Sequence, residues 1–67
     1  MPTVREAIRV VTADGWRLKR IRGSHRQFVH PRKPGKVTVA GKFGDEVPPA
    51  TWKSILRQAG IAGRPSA

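Results

Sequence analysis

The hydrophobic residues of this chain follow a helical period at both ends and a strand-like pattern in between. The first helical set is Val4, Ala7, Ile8 and Val11, and the second is Trp52, Ile55, Leu56 and Ala59. Each set recurs at i, i+3, i+4 and i+7, which places it on one face of a helix. The middle of the chain contains three short runs, over about 16–22, 26–30 and 36–40, that are bounded by glycine, serine and proline. This spacing predicts the order helix, strand, strand, strand, helix.

Local signals mark where both helices begin and end. Thr3 and Glu6 have the spacing of a capping box, and Gly15 suits the left-handed position that ends a helix. Pro48-Pro49 fits the first turn of the second helix, where a missing N–H costs nothing. Gly60-Ile61 fits a Schellman ending, with the isoleucine folding back onto the helix.

Two apolar helix faces require one sheet face to cover them, which predicts a two-layer α+β sandwich. The chain has room for a single domain, which we expect over residues 1–61, followed by a flexible tail at 62–67. We expect Trp16, Phe28 and Trp52 to belong to the core. The other face of the sheet remains open to water or to a ligand.

Positive charge dominates the composition, with 14 lysines and arginines against 4 aspartates and glutamates and a net charge of +10. An excess of this size on one small domain attracts polyanions and is typical of nucleic-acid-binding proteins. Membrane surfaces also attract cations, but the chain has no run of about 18 apolar residues and no basic helix with a wide apolar face. The first residues lack the apolar stretch of a signal peptide, and there is no cysteine. These features predict a cytoplasmic protein that binds nucleic acid.

Eight of the cations fall between residues 17 and 36, on the predicted strands and the loops that join them. They are Arg17, Lys19, Arg20, Arg22, Arg26, Arg32, Lys33 and Lys36. Almost no carboxylate interrupts this series, whereas a surface selected for solubility normally mixes both signs. We therefore expect a groove that follows the phosphates of single-stranded RNA. A solvated charged face is the alternative.

The segment Gly23-Ser24-His25 lies inside this cationic series and carries groups that RNA cleavage requires. Glycine permits close approach of the backbone to a ligand, and serine offers a hydroxyl donor to a phosphate oxygen. Histidine exchanges protons near neutral pH, so it can act on a 2′-hydroxyl or a leaving oxygen while neighbouring cations stabilise charge on phosphorus. The residues alone also allow a structural role, with His25 hydrogen-bonded beside a turn.

The second histidine, His30, does not complete an acid–base pair with His25. Five residues along a strand span about 16 Å, and the odd separation puts the two side chains on opposite faces. We expect His30 to serve strand packing or a contact at the rim. Metal-dependent cleavage needs several converging carboxylates, and those of this chain are dispersed over Glu6, Asp14 and Asp45-Glu46. The sequence therefore predicts neither a metal nor a cofactor.

Several of these residues together resemble one known family. They are Gly15-Trp16, Arg20, Gly23-Ser24-His25, Phe28, His30-Pro31, Val37-Thr38-Val39 and the closing segment from Thr51 to Ile61. In this combination the chain resembles the HicA toxins of bacterial type II toxin–antitoxin systems over about residues 4 to 61.

The resemblance implies a fold like that of double-stranded-RNA-binding domains, with the same order of helices and strands. It implies an mRNA interferase that cleaves without a metal, with His25 as the catalytic residue. It also implies a cognate antitoxin, HicB, that covers the active surface. Many relatives carry a proline and then a histidine just after the third strand, where this chain has Ala40-Gly41-Lys42. Either Lys42 substitutes for that histidine as a cation, or its contribution is absent.

We therefore predict the toxin of a type II toxin–antitoxin system, a metal-independent endoribonuclease whose partners are mRNA and a HicB-like antitoxin. The predicted catalytic residue is His25. The residues predicted to contact RNA are Lys19, Arg20, Arg22, Gly23, Ser24, Arg26 and Lys36. Two other functions remain open: a module that reads RNA by shape without any chemistry, and a protein whose charge matches an acidic partner.

Overall fold

A computed structural model of the chain describes residues 2–61. Its elements are α1 (Val4–Ala13), β1 (Arg17–Arg22), β2 (His25–Val29), β3 (Val37–Ala40) and α2 (Pro49–Gln58). The predicted α+β class and the order α-β-β-β-α are confirmed, and they are compatible with the expected likeness to double-stranded-RNA-binding domains. The predicted tail, 62–67, lies outside the described residues.

The capping box predicted at the start of α1 is present. The amide of Glu6 donates to Thr3 Oγ1 at 3.3 Å, and the amide of Thr3 donates to Glu6 Oε1 at 3.0 Å. Amide groups at a helix N-terminus have no partner within the helix, so this exchange satisfies two donors at once. It fixes the position at which α1 begins.

The loop between β3 and α2, which we call the 41–47 loop, is bound to the beginning of α1 through the backbone. The bonds join Val4 N to Asp45 O at 2.9 Å, Arg5 N to Phe43 O at 3.1 Å and Val47 N to Pro2 O at 2.8 Å. The loop therefore supplies acceptors for free amides of the helix. In return, its own backbone is held in one place.

Both helices end in a Schellman motif, which the sequence predicted for α2, while for α1 it predicted the left-handed position of Gly15. After α1, Gly15 N donates to Thr12 O at 3.0 Å and Trp16 N donates to Val11 O at 3.1 Å. Gly15 has a φ of 105°, which a residue with a side chain adopts only under strain. The same motif at Gly60–Ile61 closes α2. Trp16 therefore belongs to the Schellman motif that ends α1. For this reason β1 begins at Arg17, one residue later than predicted.

The strands form an antiparallel sheet in the order β1-β2-β3. Arg22 pairs with His25 across a two-residue turn, Gly23–Ser24, so β2 begins one residue earlier than the sequence predicted. Gly23 has a φ of 62°, the positive value that two-residue hairpin turns require at their first position. The turn therefore determines where His25 stands in the strand.

Both helices pack on one face of the sheet, which gives the two predicted layers. Phe28 of β2 and Val37 and Val39 of β3 are buried in this layer. Trp16 is also buried, and its Nε1 donates to the carbonyl oxygen of Ala59 at 3.2 Å. The predicted core positions of Phe28 and Trp16 are confirmed.

The expectation that Trp52 is a core residue is wrong in part. Trp52, in the first turn of α2, packs against the core but stays partly exposed. The fully buried positions of this helix and its cap are Ile55 and Ala59. Two short helices cannot enclose every large side chain, and tryptophan is seldom fully buried because of its size.

A bulge interrupts β1 at Lys19. Leu18 pairs with Phe28, whereas Arg20 pairs with Gln27, so β1 has one extra residue between these two pairs. A bulge of this kind changes which face the following side chains occupy. All six residues of β1 are exposed, because the helices cover the β2–β3 side of the sheet.

The two edges of the sheet differ. At the β3 edge, the amide of Thr38 donates to Gln58 Oε1 of α2 at 3.2 Å. At the other edge, β1 pairs with β2 alone. Among residues 2–61, one amide of the β3 edge is thus satisfied by α2, whereas no strand or helix residue is bonded to the outer side of β1.

Candidate functional site

His25 is the first residue of β2 and stands on the face of the sheet that the helices leave free. Phe28, three residues later, points into the helical layer, and side chains alternate along a strand, so His25 points the other way. Its neighbour across the hairpin is Arg22. Directly opposed residues have Cβ atoms within about 5.5 Å. The imidazole is exposed, which leaves it accessible to a ligand.

The bulge in β1 brings arginines onto the face that His25 occupies. Arg17 pairs with Val29, Arg20 pairs with Gln27 and Arg22 pairs with His25, and these three partners share one face of β2. Paired residues point to the same side of a sheet. We call this surface the open cationic face and define it by Arg17, Arg20, Arg22 and His25. Lys19 lies at the bulge beside it and is exposed.

Arg26, which was predicted to contact RNA, is not brought together with His25. It pairs with Val39 and therefore points to the helical side of the sheet. Its Nη1 donates to Gly41 O at 2.7 Å, and its guanidinium carbon lies 4.5 Å from the centre of the Phe43 ring. The sequence prediction grouped Arg26 with the other cations on one surface. The number of cations in a segment does not show which face of the sheet each side chain occupies.

The remaining predicted RNA contacts occupy both ends of the sheet. Gly23 and Ser24 form the exposed hairpin turn beside His25. Ser24 is held there by its carbonyl oxygen, which accepts from Gly41 N at 3.0 Å. Lys36 is exposed just before β3, at the end where Val37 pairs with Phe28. Phe28 follows His25 by three positions in β2, a distance of about 10 Å.

His30 has a structural position, as the sequence predicted. Its Nδ1 accepts from the amides of Arg32 and Lys33 at 2.9 and 3.0 Å, and its Nε2 lies 2.9 Å from Asp14 O. Because Nδ1 accepts two hydrogen bonds, Nε2 carries the proton and donates to the carbonyl. The ring also meets Trp16 edge-on, with the centroids 5.2 Å apart. His30 thus connects α1 to the loop after β2.

Three of the four carboxylates in the described residues 2–61 are engaged in separate places, and the fourth, Glu46, is exposed. Glu6 caps α1, Asp14 accepts from Lys33 Nζ at 2.5 Å, and Asp45 Oδ2 accepts from Lys42 N at 3.0 Å. The Lys33 ammonium that donates to Asp14 lowers the pKa of this carboxyl. Within the same residues, no three potential metal ligands come together.

Sequence reasoning missed one exposed aromatic residue at the end of the sheet. Phe43 is 48% exposed and lies beside the guanidinium groups of Arg26 and Arg5. A phenylalanine in a loop of glycine, lysine and aspartate is itself a signal, since it falls on neither apolar helix face and in no strand. Its neighbours come from α1 and β2, and only the fold brings them together.

The fold and the site define a class: small basic α+β domains in which three antiparallel strands present an exposed histidine and arginines on the face opposite two helices. A family model described as the HicA toxin of bacterial toxin–antitoxin systems matches residues 4–61. The chain therefore belongs to the HicA toxin family, and the resemblance noted in its sequence is confirmed. Membership implies an antitoxin partner. A search of curated proteins finds no match to the chain.

Neither helix in residues 2–61 is long and apolar enough to cross a membrane.

Proposed function

We propose that this toxin is a metal-independent endoribonuclease that cleaves mRNA in the cytoplasm with His25 as its catalytic residue. The observation that carries the proposal is the exposed imidazole of His25 directly across the hairpin from Arg22, on the open cationic face. Membership of the HicA toxin family supports it. An antitoxin of the HicB type silences the toxin by covering this face.

A single strand of RNA lies across the open cationic face with its phosphates near the arginines. The 2′-hydroxyl attacks the adjacent phosphorus, so that a 2′-O–P bond forms and the P–O bond to the 5′ oxygen breaks. His25 takes the proton of the 2′-hydroxyl or supplies a proton to the leaving 5′ oxygen, and a water molecule carries out the other of these two transfers. Arg22 and Arg20 stabilise the negative charge that grows on the phosphate oxygens. The turn residues Gly23 and Ser24 add a close backbone approach and a hydroxyl donor.

Cleavage without a metal agrees with the positions of the acidic side chains. Glu6 and Asp14 serve the two ends of α1, and Asp45 binds the backbone of its own loop. Cations and one histidine are the groups that the open cationic face offers to a phosphate. Proton transfer by a positioned side chain contributes about 10²–10⁴-fold to a rate, which one histidine can supply.

The test compares wild type with His25→Ala on a labelled mRNA, with both proteins purified in parallel. We expect His25→Ala to lose at least about a hundredfold in cleavage rate while its affinity for RNA changes less than about threefold. Cleavage by the wild type should persist in EDTA. Arg9→Gln, an exposed arginine of α1, serves as the control for loss of one charge.

Two results would contradict the proposal. Cleavage by His25→Ala at the parental rate assigns the chemistry to another group or to a contaminant. Binding of RNA by both proteins without any cleavage assigns the chain to the non-catalytic alternative.

Induced expression in cells gives a second readout, since wild type should arrest growth and degrade mRNA and His25→Ala should do neither.

A further inference from the structure

The 41–47 loop presents one aromatic ring to solvent, and two guanidinium groups, from α1 and β2, lie against this ring. Phe43 is 48% exposed, the Arg26 guanidinium carbon lies 4.5 Å from the ring centre, and that of Arg5 lies 5.5 Å from it. We call these three residues the Phe43 cluster. The endoribonuclease chemistry proposed above makes no use of it.

The Phe43 cluster is held in position by the backbone around it. Phe43 O accepts from Arg5 N at 3.1 Å, and Asp45 N closes a turn by donating to Lys42 O at 2.9 Å. The guanidinium of Arg26 is fixed by its bond to Gly41 O at 2.7 Å. Groups that are positioned before a ligand arrives lose less conformational freedom when it binds. An exposed aromatic ring on so well-bound a loop is therefore suited to ligand binding.

The cluster lies at the same end of the sheet as His25. Ala40 pairs with His25, and the next residue, Gly41, donates its amide to Ser24 O at 3.0 Å. Arg26 follows His25 in β2 and points to the opposite face. To reach Phe43, a strand bound on the open cationic face would pass around the end of the sheet beside the hairpin turn.

We propose that the Phe43 cluster is a stacking subsite for one nucleobase of the bound RNA, away from the bond at His25. This inference rests on the proposed function, because RNA is taken as the ligand of the open cationic face. Bases stack on aromatic rings and on arginine planes, and such stacking tolerates any base. The exposed carboxylates of Asp45 and Glu46 lie in the same loop. The exposed Lys42 lies there too, so phosphate binding is the alternative to base stacking at this cluster.

The test separates base stacking from phosphate binding. In a His25→Ala background, which removes cleavage, we measure the Kd of single-stranded oligoadenylate and of an abasic oligomer with the same number of phosphates. Measurements at one fixed salt concentration keep the phosphate contribution constant. Phe43→Leu should weaken oligoadenylate binding about tenfold, as expected for loss of one stacked base. It should change binding of the abasic oligomer less than about twofold.

Two further variants make the result specific. Phe43→Trp keeps an aromatic ring and should retain the preference for oligoadenylate. Leu18→Ala truncates an apolar side chain of similar exposure, 49%, on β1 and should leave both affinities unchanged. Melting temperatures show whether each variant is folded, and Phe43→Leu keeps an apolar side chain beside the arginines.

Each outcome decides the question. Equal effects of Phe43→Leu on the two oligomers, or no effect on either, overturn the stacking subsite alone. Absence of binding to both oligomers overturns the proposed function and the subsite with it. If RNA binding is unchanged in Phe43→Leu but binding of the purified antitoxin is weakened, the cluster is a protein contact and the inference is wrong.

Discussion

The ammonium group of Lys33 lies 2.5 Å from Oδ2 of Asp14, the residue that caps the C-terminus of α1. The same nitrogen donates to the carbonyl oxygen of Ala59, which caps α2, at 3.1 Å. One side chain from the loop after β2 therefore binds the ends of both helices. A cation at this position also opposes the negative ends of the two helix dipoles.

Lys33→Met should lower the free energy of unfolding by about 1 kcal/mol at pH 7. The estimate is modest because the two side chains are 35% and 31% exposed, and water screens such pairs. Urea denaturation at pH 7 measures the difference. Lys53→Met removes an exposed lysine of α2 and should change the stability far less. Equal losses in the two variants would show that net charge, rather than this contact, is responsible.

Acid should remove the part of this stabilisation that depends on the Asp14 carboxylate. The Lys33 hydrogen bond lowers the pKa of Asp14 from its ordinary value of 3.8. A carboxyl with a lowered pKa stabilises the fold above the ordinary value, and its contribution is lost as pH falls through the lowered value. The gap between wild type and Lys33→Met should therefore narrow below pH 3.8. A gap that is constant down to about pH 2 would contradict the assignment.

Arg20→Gln should reduce the salt dependence of RNA binding. If Arg20 contacts one phosphate on the open cationic face, its removal lowers the slope of log K against log salt by about 0.7. Anisotropy titrations in the His25→Ala background measure this slope at several salt concentrations. Arg9→Gln has the same charge change on a helix and should retain the full slope. Identical slopes for the two variants would place the RNA elsewhere.

The two histidines should respond to the same substitution in opposite ways. His30→Gln breaks the bonds to Asp14 O and to two loop amides, so we expect it to lower stability by about 1–2 kcal/mol. Below its melting temperature, it should cleave RNA at close to the parental rate. His25→Gln should keep the stability and lose the cleavage. Cleavage that fails in both variants at equal folded fraction would mean that His30 takes part in the chemistry.

Trp16→Phe should destabilise the protein without changing its affinity for RNA. The substitution removes the hydrogen bond from Nε1 to Ala59 O and leaves a small cavity in the core. Lys33 continues to satisfy that carbonyl, so we expect a loss of about 1–2 kcal/mol. For a domain of this size, 1 kcal/mol corresponds to about 4–8 °C in Tm. An unchanged melting curve would show that the indole is not needed in the core.

The helices could be predicted from the sequence because their limits depend on local chemistry. The capping box of Thr3 and Glu6 and the glycine endings at Gly15 and Gly60 involve residues within one turn of each other. Such signals act before any tertiary contact forms. The number and order of the strands followed from the change in hydrophobic period. The extent to which Trp52 is buried could not be predicted in this way, because it depends on which other elements cover the side chain.

The arrangement of the open cationic face could not be derived from simple alternation. If side chains simply alternate along β1, Arg20 and Arg22 lie on the same face as Leu18. Each face of the strand would then carry both apolar and cationic residues. The bulge at Lys19 reverses this alternation, so Leu18 and Ile21 share the helical side. Their odd separation in the sequence is the signal that was available. With the bulge included, the apolar and cationic residues of β1 separate cleanly.

The contact between Phe43 of the 41–47 loop and Arg26 of β2 could not be predicted from the composition of the loop. Sequence reasoning includes Arg26 among the RNA contacts because it is close to His25 along the chain. However, adjacent residues of a strand point to opposite faces of the sheet. The aromatic ring that Arg26 contacts belongs to Phe43, 17 positions later in the chain. A contact of this kind depends on the return of the chain after β3. Sequence patterns of short range do not report it.

The two edges of the sheet also affect whether copies of the toxin can associate through their strands at high concentration. A straight, uncharged edge is a template on which further strands, and finally fibrils, can grow. Here the amide of Thr38 is already taken by Gln58 on one side, and a bulge among arginines deforms and charges the other. We expect these two features to disfavour edge-to-edge pairing between copies of the folded domain. The arginines that we expect to hold RNA should therefore also oppose edge-to-edge association when RNA is absent.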